Sequence, residues 1–389
     1  MARHPTGGGE KAAFRRFVGR SVLAHQVDAA LALDCDSVIC LAAGMRQEII
    51  ACQHRAESGG ARFQMIDSSR RLPGLVKADD ELIVLADGLL PDFGVLADLL
   101  RDRPAILTFP DEPAVARGFE RIDSTRAWAG AMRCRGASAE KLNDLSEDAD
   151  AASSLLRFGL QSGIRTVSVD PAVLLDGRWT FNEPAEELAE LEKQWIARHV
   201  KPVSFAAPGL AIAERMGLRM ARDFAGGALE RLPSYVAVGS GMLAGLAAWF
   251  GRPVIGLGLL IVMAVAAPIG AIFEKLGKAG RKQSARLSLV EALRWAGDAL
   301  IVGLVAQASS PDSGWLRLFV PLILLGLLRL AEARAPLRWR ALYADRILLL
   351  SGLLLAAILG QLQFFAALLS LLVLATLLLA PGDRELTTD

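Results

Sequence analysis

The residues best placed to do chemistry lie between positions 273 and 298. The stretch FEKLGKAGR, from Phe273 to Arg281, is basic and glycine-containing, and the chain continues to Arg294 and Asp298. Cations set among glycines suit phosphate groups, because small residues let an anion approach while ammonium and guanidinium groups neutralise it. Gly277, Lys278, Arg281 and Arg294 are therefore candidate phosphate or headgroup ligands. Arg294 and Asp298 are four positions apart and share one face of a helix. Ionisable residues inside an apolar segment are costly and face a polar interior. Either they pair and hold helices together, or they face a site.

The elements that must position these residues are apolar. Six runs, at about 235–250, 253–273, 289–306, 315–330, 347–362 and 364–380, fill the last part of the chain. Each is near the ~17–25 residues that cross ~30 Å of hydrocarbon as a helix. Backbone amides have no water at that depth, so helices are the expected spanning form. The candidate segment joins the second and third runs. The loop 274–287 carries Lys275, Lys278, Arg281, Lys282 and Arg286, and 332–346 carries Arg334, Arg338, Arg340 and Arg346. The 308–314 loop, ASSPDSG, has no Lys or Arg. Basic even loops and odd ones without Lys or Arg, apart from Arg252, put both termini in the cytoplasm of a bacterial-type inner membrane. Glycines in GSGMLAG (Gly239, Gly241, Gly245) and at Gly256 and Gly258 are expected to let helices approach closely, and Pro268 to kink the second span.

The first half differs. Of 389 residues, 53% are hydrophobic, but residues 1–205 have ordinary globular composition. The net charge of +1 gives no field for nucleic acid. The four cysteines form no CxxC pair and read as reduced thiols, and the first residues have no apolar core for a signal peptide. Apolar runs at 37–42, 62–66, 81–86 and 105–109 read as buried strands, with further strands at 127–132 and 166–169. Helical spacing at 21–33, 46–57, 93–101 and 148–160 alternates with them, which predicts a mostly parallel sheet covered by helices. Such sheets take ligands at their carboxyl ends, where Gly44 and the turn Asp87–Gly88 lie. Residues 183–200 read as a charged connecting helix. In 208–232, Met216, Met220 and Phe224 share one face and Arg215, Arg219 and Arg222 another, which predicts a helix lying in the membrane interface.

The membrane half resembles the CDP-alcohol phosphatidyltransferase family, which has six transmembrane helices, an interfacial helix before them and the signature D-x2-D-G-x2-A-R-x8-G-x3-D-x3-D. With its arginine on Arg281, the glycine falls on Gly277 and the last aspartate on Asp298, without a gap. The other aspartate positions hold Phe273, Leu276 and Arg294; Gly280 and Val290 stand at the small-residue and second-glycine positions. The resemblance implies a metal-bridged diphosphate held by four aspartates, the last of which helps deprotonate the attacking alcohol. Here a single carboxylate remains, and hard cations want several oxygen ligands. The expectation is a fold retained and a catalytic centre lost, with Asp298 a remnant, no metal ligands and no cofactor. An alternative is an active phosphotransferase with a rearranged site, with Asp298 as base, Arg281 and Arg294 on the diphosphate, and Mg²⁺ or Mn²⁺ required. A second is a small transporter with a regulatory domain.

The first half resembles the nucleotidyltransferase domains that some membrane enzymes of inositol-phosphate synthesis carry ahead of such a module. The pieces are residues 19–44, ELIVLADG (81–88) and FERIDSTRAWAG (119–130). In that family a glycine-rich loop cradles the triphosphate. Leu41 to Arg46 is similar to it at Gly44 but lacks the second glycine and follows a helix, so the family's first strand and loop are expected to be absent. Asp87, before Gly88, stands where the family places a metal-binding aspartate.

Together these readings give a three-layer α/β nucleotidyltransferase-like domain (1–205), an amphipathic interfacial helix (206–232) and an all-α six-transmembrane-helix domain (233–389). The expected function is non-catalytic or divergent, in phospholipid or inositol-lipid headgroup synthesis. Expected partners are membrane lipids, a CDP-alcohol or anionic headgroup, and a second subunit, either a copy of the chain or an active paralogue.

Overall fold

The computed structural model describes residues 12–146, 149–199, 206–224, 231–277, 289–308 and 314–379. These fall into two compact units that divide within one helix, after Ile196.

In the first unit a short hairpin, β1 (Arg16–Phe17) and β2 (Arg20–Ser21), leads into α1 (Val22–Ala32), which Ser21 caps by accepting from the Ala24 amide. Then come β3 (Ser37–Leu41), α2 (Gln47–Ser58), β4 (Arg62–Ile66), β5 (Glu81–Leu85), β6 (Leu89–Leu90), α3 (Phe93–Leu100), β7 (Ala105–Pro110), α4 (Asp111–Val115), β8 (Arg126–Arg135) and α5 (Ala137–Glu140). The unit closes with α6 (Ala151–Gln161), β9 (Thr166–Ser168), α7 (Pro171–Leu175), β10 (Thr180–Phe181) and the charged α8 (Ala185–His199). The four strands expected first are all present, at the expected places. Their directions are not those expected. The larger sheet runs β5-β8-β7-β9, and β8 lies antiparallel to both its neighbours; only β7–β9 and the separate pair β3–β4 are parallel. The sheet is therefore mixed, because ten-residue β8 returns against β5 and β7 where a helical crossover was expected. β3 and β5 do not pair, so β4–β3 forms a sheet of its own.

Both faces of β7 and of the middle of β8 are buried, as strands covered on two sides require. Leu89, Leu96, Leu100, Ile106, Leu107, Met132 and Trp179 form one core with Ile66 from β4. Trp179 donates from Nε1 to the Ala129 carbonyl at 2.8 Å and Trp128 to the Ala131 carbonyl at 3.2 Å, so both indoles bury their area without orphaning their N–H. A second cluster joins Val27 of α1 to Cys52 and Ala56 of α2. All four cysteines are free thiols.

The second unit is helical: α9 (Pro208–Phe224), α10 (Leu232–Trp249), α11 (Pro253–Gly277), α12 (Leu289–Gln307), α13 (Leu316–Arg334), α14 (Leu337–Ala344), α15 (Arg346–Ile358) and α16 (Leu362–Leu379). α11 packs on α9, α10, α12 and α15, and α13 on α12, α14 and α16. α10, α11 and α16 are long and apolar enough to cross a membrane. At ~1.5 Å per residue an 18-residue helix reaches ~27 Å. α15, with 13 residues, is shorter. α12 carries Glu291, Arg294 and Asp298 and α13 carries Arg317, Arg329, Glu332 and Arg334, which makes both less apolar than the three. The chain is thus membrane-associated, with three helices of spanning character among the described residues.

Glycines let some of these helices close up. A Cβ on Gly241 would sit 2.9 Å from the Met263 sulfur and one on Gly256 2.5 Å from Leu304, so these side chains of α11 and α12 pack directly onto the two glycines. Gly245 is at ordinary contact distance, and Gly239 and Gly258 face open space, so the close approach expected of them is not made within this unit. Pro268 lies inside α11, which continues through it.

α9 is described over Pro208–Phe224, and Leu232, expected at the end of this helix, is the first residue of α10. The packed face of α9 is made mostly of small residues. Ala211, Ala213, Glu214 and Gly217 are buried, while Ile212 and Met216 are 59% and 47% exposed. Small residues are selected there because α9 lies close on α11: a Cβ on Gly217 would be 2.8 Å from Ile272. Methionine therefore faces out beside the exposed Arg215 and Arg219.

Candidate functional site

α11 and α12 run antiparallel, with Leu304 against Gly256 and Gly297 against Met263. That register carries Asp298 into the helical unit one turn after Arg294. Asp298 is 8% exposed, and four guanidinium hydrogen bonds fill its carboxylate. From α13, Arg329 donates to Oδ2 through Nε at 2.9 Å and Nη2 at 2.6 Å. From the first position of α15, Arg346 donates through Nε to Oδ1 at 2.9 Å and through Nη2 to Oδ2 at 3.3 Å. Its Nη1 donates to the Tyr343 carbonyl at 2.9 Å. The Tyr343 hydroxyl in turn reaches Thr376 Oγ1 of α16 at 2.6 Å.

Glu332, in the last turn of α13, forms the second anionic centre. Arg294 donates to its Oε2, and Arg346 Nη1 stands 2.9 Å from its Oε1 as an ion pair without hydrogen-bond geometry. Arg294 and Asp298 therefore share a helix face but do not pair with each other. Each reaches across to a different charge on α13. The Arg294 Nε is buried with no hydrogen-bond partner among the described residues. The Arg329 guanidinium lies over the Trp295 ring, 4.2 Å from its centroid, where the face of the indole attracts a cation.

Arginines 294, 329 and 346 thus meet Asp298 and Glu332, three cations against two anions. Planar guanidiniums suit such a buried set, since each can serve two carboxylate oxygens at once. One positive charge is in surplus, and because the Arg294 side chain is 35% exposed it is open to solvent and to an incoming anion alike.

The residues of this region do not fit the two-cation centre that the family resemblance implies. Phe273 and Leu276, at two aspartate positions, are 2% and 3% exposed and apolar. Arg294, at the third, brings a positive charge. Asp298 gives its lone pairs to guanidinium hydrogens. Among the described residues no group of three His, Cys, Asp or Glu side chains could hold a metal ion. No family model matches this sequence, and no curated protein matches it.

Of the other site residues expected from sequence, Gly277 is the last residue of α11, and Lys278 and Arg281 lie outside the described residues. In the first unit, Gly44 follows β3 and Asp87 and Gly88 follow β5, so all three stand beyond carboxyl ends of strands. Gly88 has a backbone reason to be glycine. Its φ is +76°, and a Cβ there would lie 2.5 Å from that of Ala12. Asp87 is exposed beside it, and its charge adds to burial in pushing the Cys40 thiol upward. His25 does not face a ligand. It is buried, its Nε2 lies 2.9 Å from the Phe17 carbonyl, and burial lowers its pKa from 6.5 to about 4.

Sequence reasoning did not single out Arg329, Glu332 and Asp345, and it read Arg346 as a loop charge. The available signal was a charge inside an apolar segment: Arg329 interrupts GLLRLAEAR on α13 in the way Asp298 interrupts α12.

Proposed function

We propose that the chain is a multi-pass membrane protein of CDP-alcohol phosphatidyltransferase type that binds a phosphate-bearing headgroup without transferring it. The arginine cluster carries this reading, since three guanidiniums against two carboxylates leave one positive charge for an anion beside Arg294. Guanidinium is the side-chain group best matched to phosphate oxygens. Support for six crossings comes from the same place. Four of the seven charges on α12 and α13, those of Arg294, Asp298, Arg329 and Glu332, are paired inside the unit, and the exposed Glu291, Arg317 and Arg334 lie near the helix ends, where an interface could hold them. With the basic loops, that supports both termini on the cytoplasmic side of an inner membrane.

In this reading the first unit is a nucleotidyltransferase-like domain missing one strand and its glycine-rich loop. The break between β3 and β5 supports it, since an absent strand would leave its former neighbours unpaired. The biochemical role is that of a non-catalytic partner in phospholipid or inositol-lipid headgroup synthesis, paired with a copy of itself or with an active paralogue.

The test is binding. Trp295 stacks on Arg329 and reports on the cluster. Intact protein in nanodiscs of zwitterionic lipid, titrated with inorganic phosphate or with phosphatidic acid, should give a saturable change in emission. Trp295→Phe removes that change, and Arg294→Gln weakens the binding. Phosphatidic acid acting without phosphate marks a lipid headgroup, and both acting marks phosphate chemistry alone. No saturable change with either ligand refutes the reading.

A further inference from the structure

We propose that Asp345 is a positioning residue that latches the amphipathic helix α9 to the bundle and couples its seat to the arginine cluster. The coupling rests on the anion-binding reading above; the latch does not. Asp345 is 1% exposed and lies between two helix starts. Its Oδ2 accepts from the Gly209 amide at 2.7 Å and, at longer range, from the Leu210 amide at 3.4 Å. Its Oδ1 accepts from the amides of Ile347 and Leu348, both at 3.1 Å. One carboxylate thus caps α9 with one oxygen and α15 with the other. Each helix would otherwise leave two N-terminal N–H groups without this partner, and each presents its positive dipole end to the same anion.

The neighbours are shaped for this arrangement. A Cβ on Gly209 would lie 2.6 Å from Asp345 Oδ1 and 2.7 Å from the Ile347 Cβ, so only glycine brings the α9 backbone this close. Further along, Gly217 seats α9 on α11 beside Ile269 and Ile272, one turn before Phe273. The outer face of α9 carries Ile212 and Met216 beside Arg215 and Arg219, the composition of a surface that meets apolar tails and anionic headgroups together.

The next residue in the chain is Arg346, the first of α15, which holds Asp298 and stands against Glu332. The cap that seats α9 therefore also fixes the helical turn from which Arg346 reaches the cluster. α9 pressed against the membrane favours the closed cap and the cluster geometry. α9 lifted away frees Oδ2, loosens the first turn of α15 and moves Arg346.

The chemistry of an amide separates this role from simple packing. Asparagine has one acceptor oxygen and one NH₂, so Asp345→Asn can cap only one of the two helices and turns a donor toward the other. A spin label on Met216→Cys, in a chain whose partly exposed Cys35 is changed to serine, reads the seating of α9 in nanodiscs. Trp295 emission reads phosphate affinity in the same sample. Expected for Asp345→Asn is a more mobile label and phosphate binding weaker by roughly fivefold or more, the lower end of ordinary coupling between sites. Gly209→Ala keeps the carboxylate and crowds it, and it should give the same pair of changes if Asp345→Asn does not fold. An unchanged label in a folded variant overturns the latch. A freed label with unchanged phosphate affinity overturns the coupling. If wild-type protein binds no phosphate, the anion reading fails and so does the coupling, while the label still decides the latch.

Discussion

Changing Asp298 to asparagine should destabilise the helical unit, not merely silence a site. The side chain keeps its size and one acceptor, but its charge is lost between Arg329 and Arg346. Both Asp298 and Arg346 have side chains only 10% exposed, and that of Arg329 is 26% exposed. The five-residue cluster goes from three cations and two anions to three and one. Removing one partner of a buried pair costs about 3–5 kcal/mol, since the remaining charge is left unmatched. For a unit of this size each kcal/mol moves a melting midpoint by about 2–4 °C, so the fall is roughly 6–20 °C. Thermal unfolding of the intact protein in one detergent, followed by circular dichroism of the helical signal, measures it. The double variant Asp298→Asn with Arg329→Gln restores the original surplus and should recover part of the loss, with a coupling of about 1–3 kcal/mol in the double-mutant cycle. A single variant that melts with the wild type would refute the reasoning. So would single losses that simply add.

Two further outcomes concern the first unit. His25 is buried neutral, with its folded pKa lowered from 6.5 to about 4. The unfolded chain therefore binds more protons in that interval. Stability is full above pH 6.5 and is lost as pH falls toward 4, by about 3 kcal/mol in all. Hydrogen-exchange protection of the β7 and β8 amides, corrected for intrinsic rates, should fall over that window and lose much of its dependence in His25→Gln. Gly88→Ala should cost about 1–2 kcal/mol from the left-handed backbone alone, before its crowding of Ala12. It lowers the midpoint of the α/β unit, and an unchanged midpoint contradicts that backbone reading of Gly88.

The strands of the first unit were legible because runs such as ELIVL and AILTF are short, apolar, β-rich and bounded by polar or turn residues, unlike the long apolar runs of the second half. Their directions were not, because an apolar run carries no sign of which way it enters a sheet. β8 needed its pairing with β5 and β7 to show itself antiparallel. In the helical unit, local spacing gave Arg294 and Asp298 a common face, and that face is real. Their partners come from 31 to 48 positions further along the chain, so no periodicity could name them. Asp345 was still less visible, since it acts on the backbone of Gly209, 136 positions away, and reads in sequence as one more loop acid. The amphipathic stripe of α9 was legible as a stripe. Which side packs was decided by Ala211 and Gly217, whose smallness matters only once α11 lies against them.

The most direct measurement is metal-dependent release of CMP. Intact protein in nanodiscs is incubated with a labelled CDP-alcohol, a lipid acceptor and Mg²⁺ or Mn²⁺, with Asp298→Asn in parallel. The expected result is no CMP above background in either sample, with phosphate still bound by the wild type at the arginine cluster. Metal-dependent CMP from the wild type that the substitution abolishes would contradict a carboxylate committed to Arg329 and Arg346.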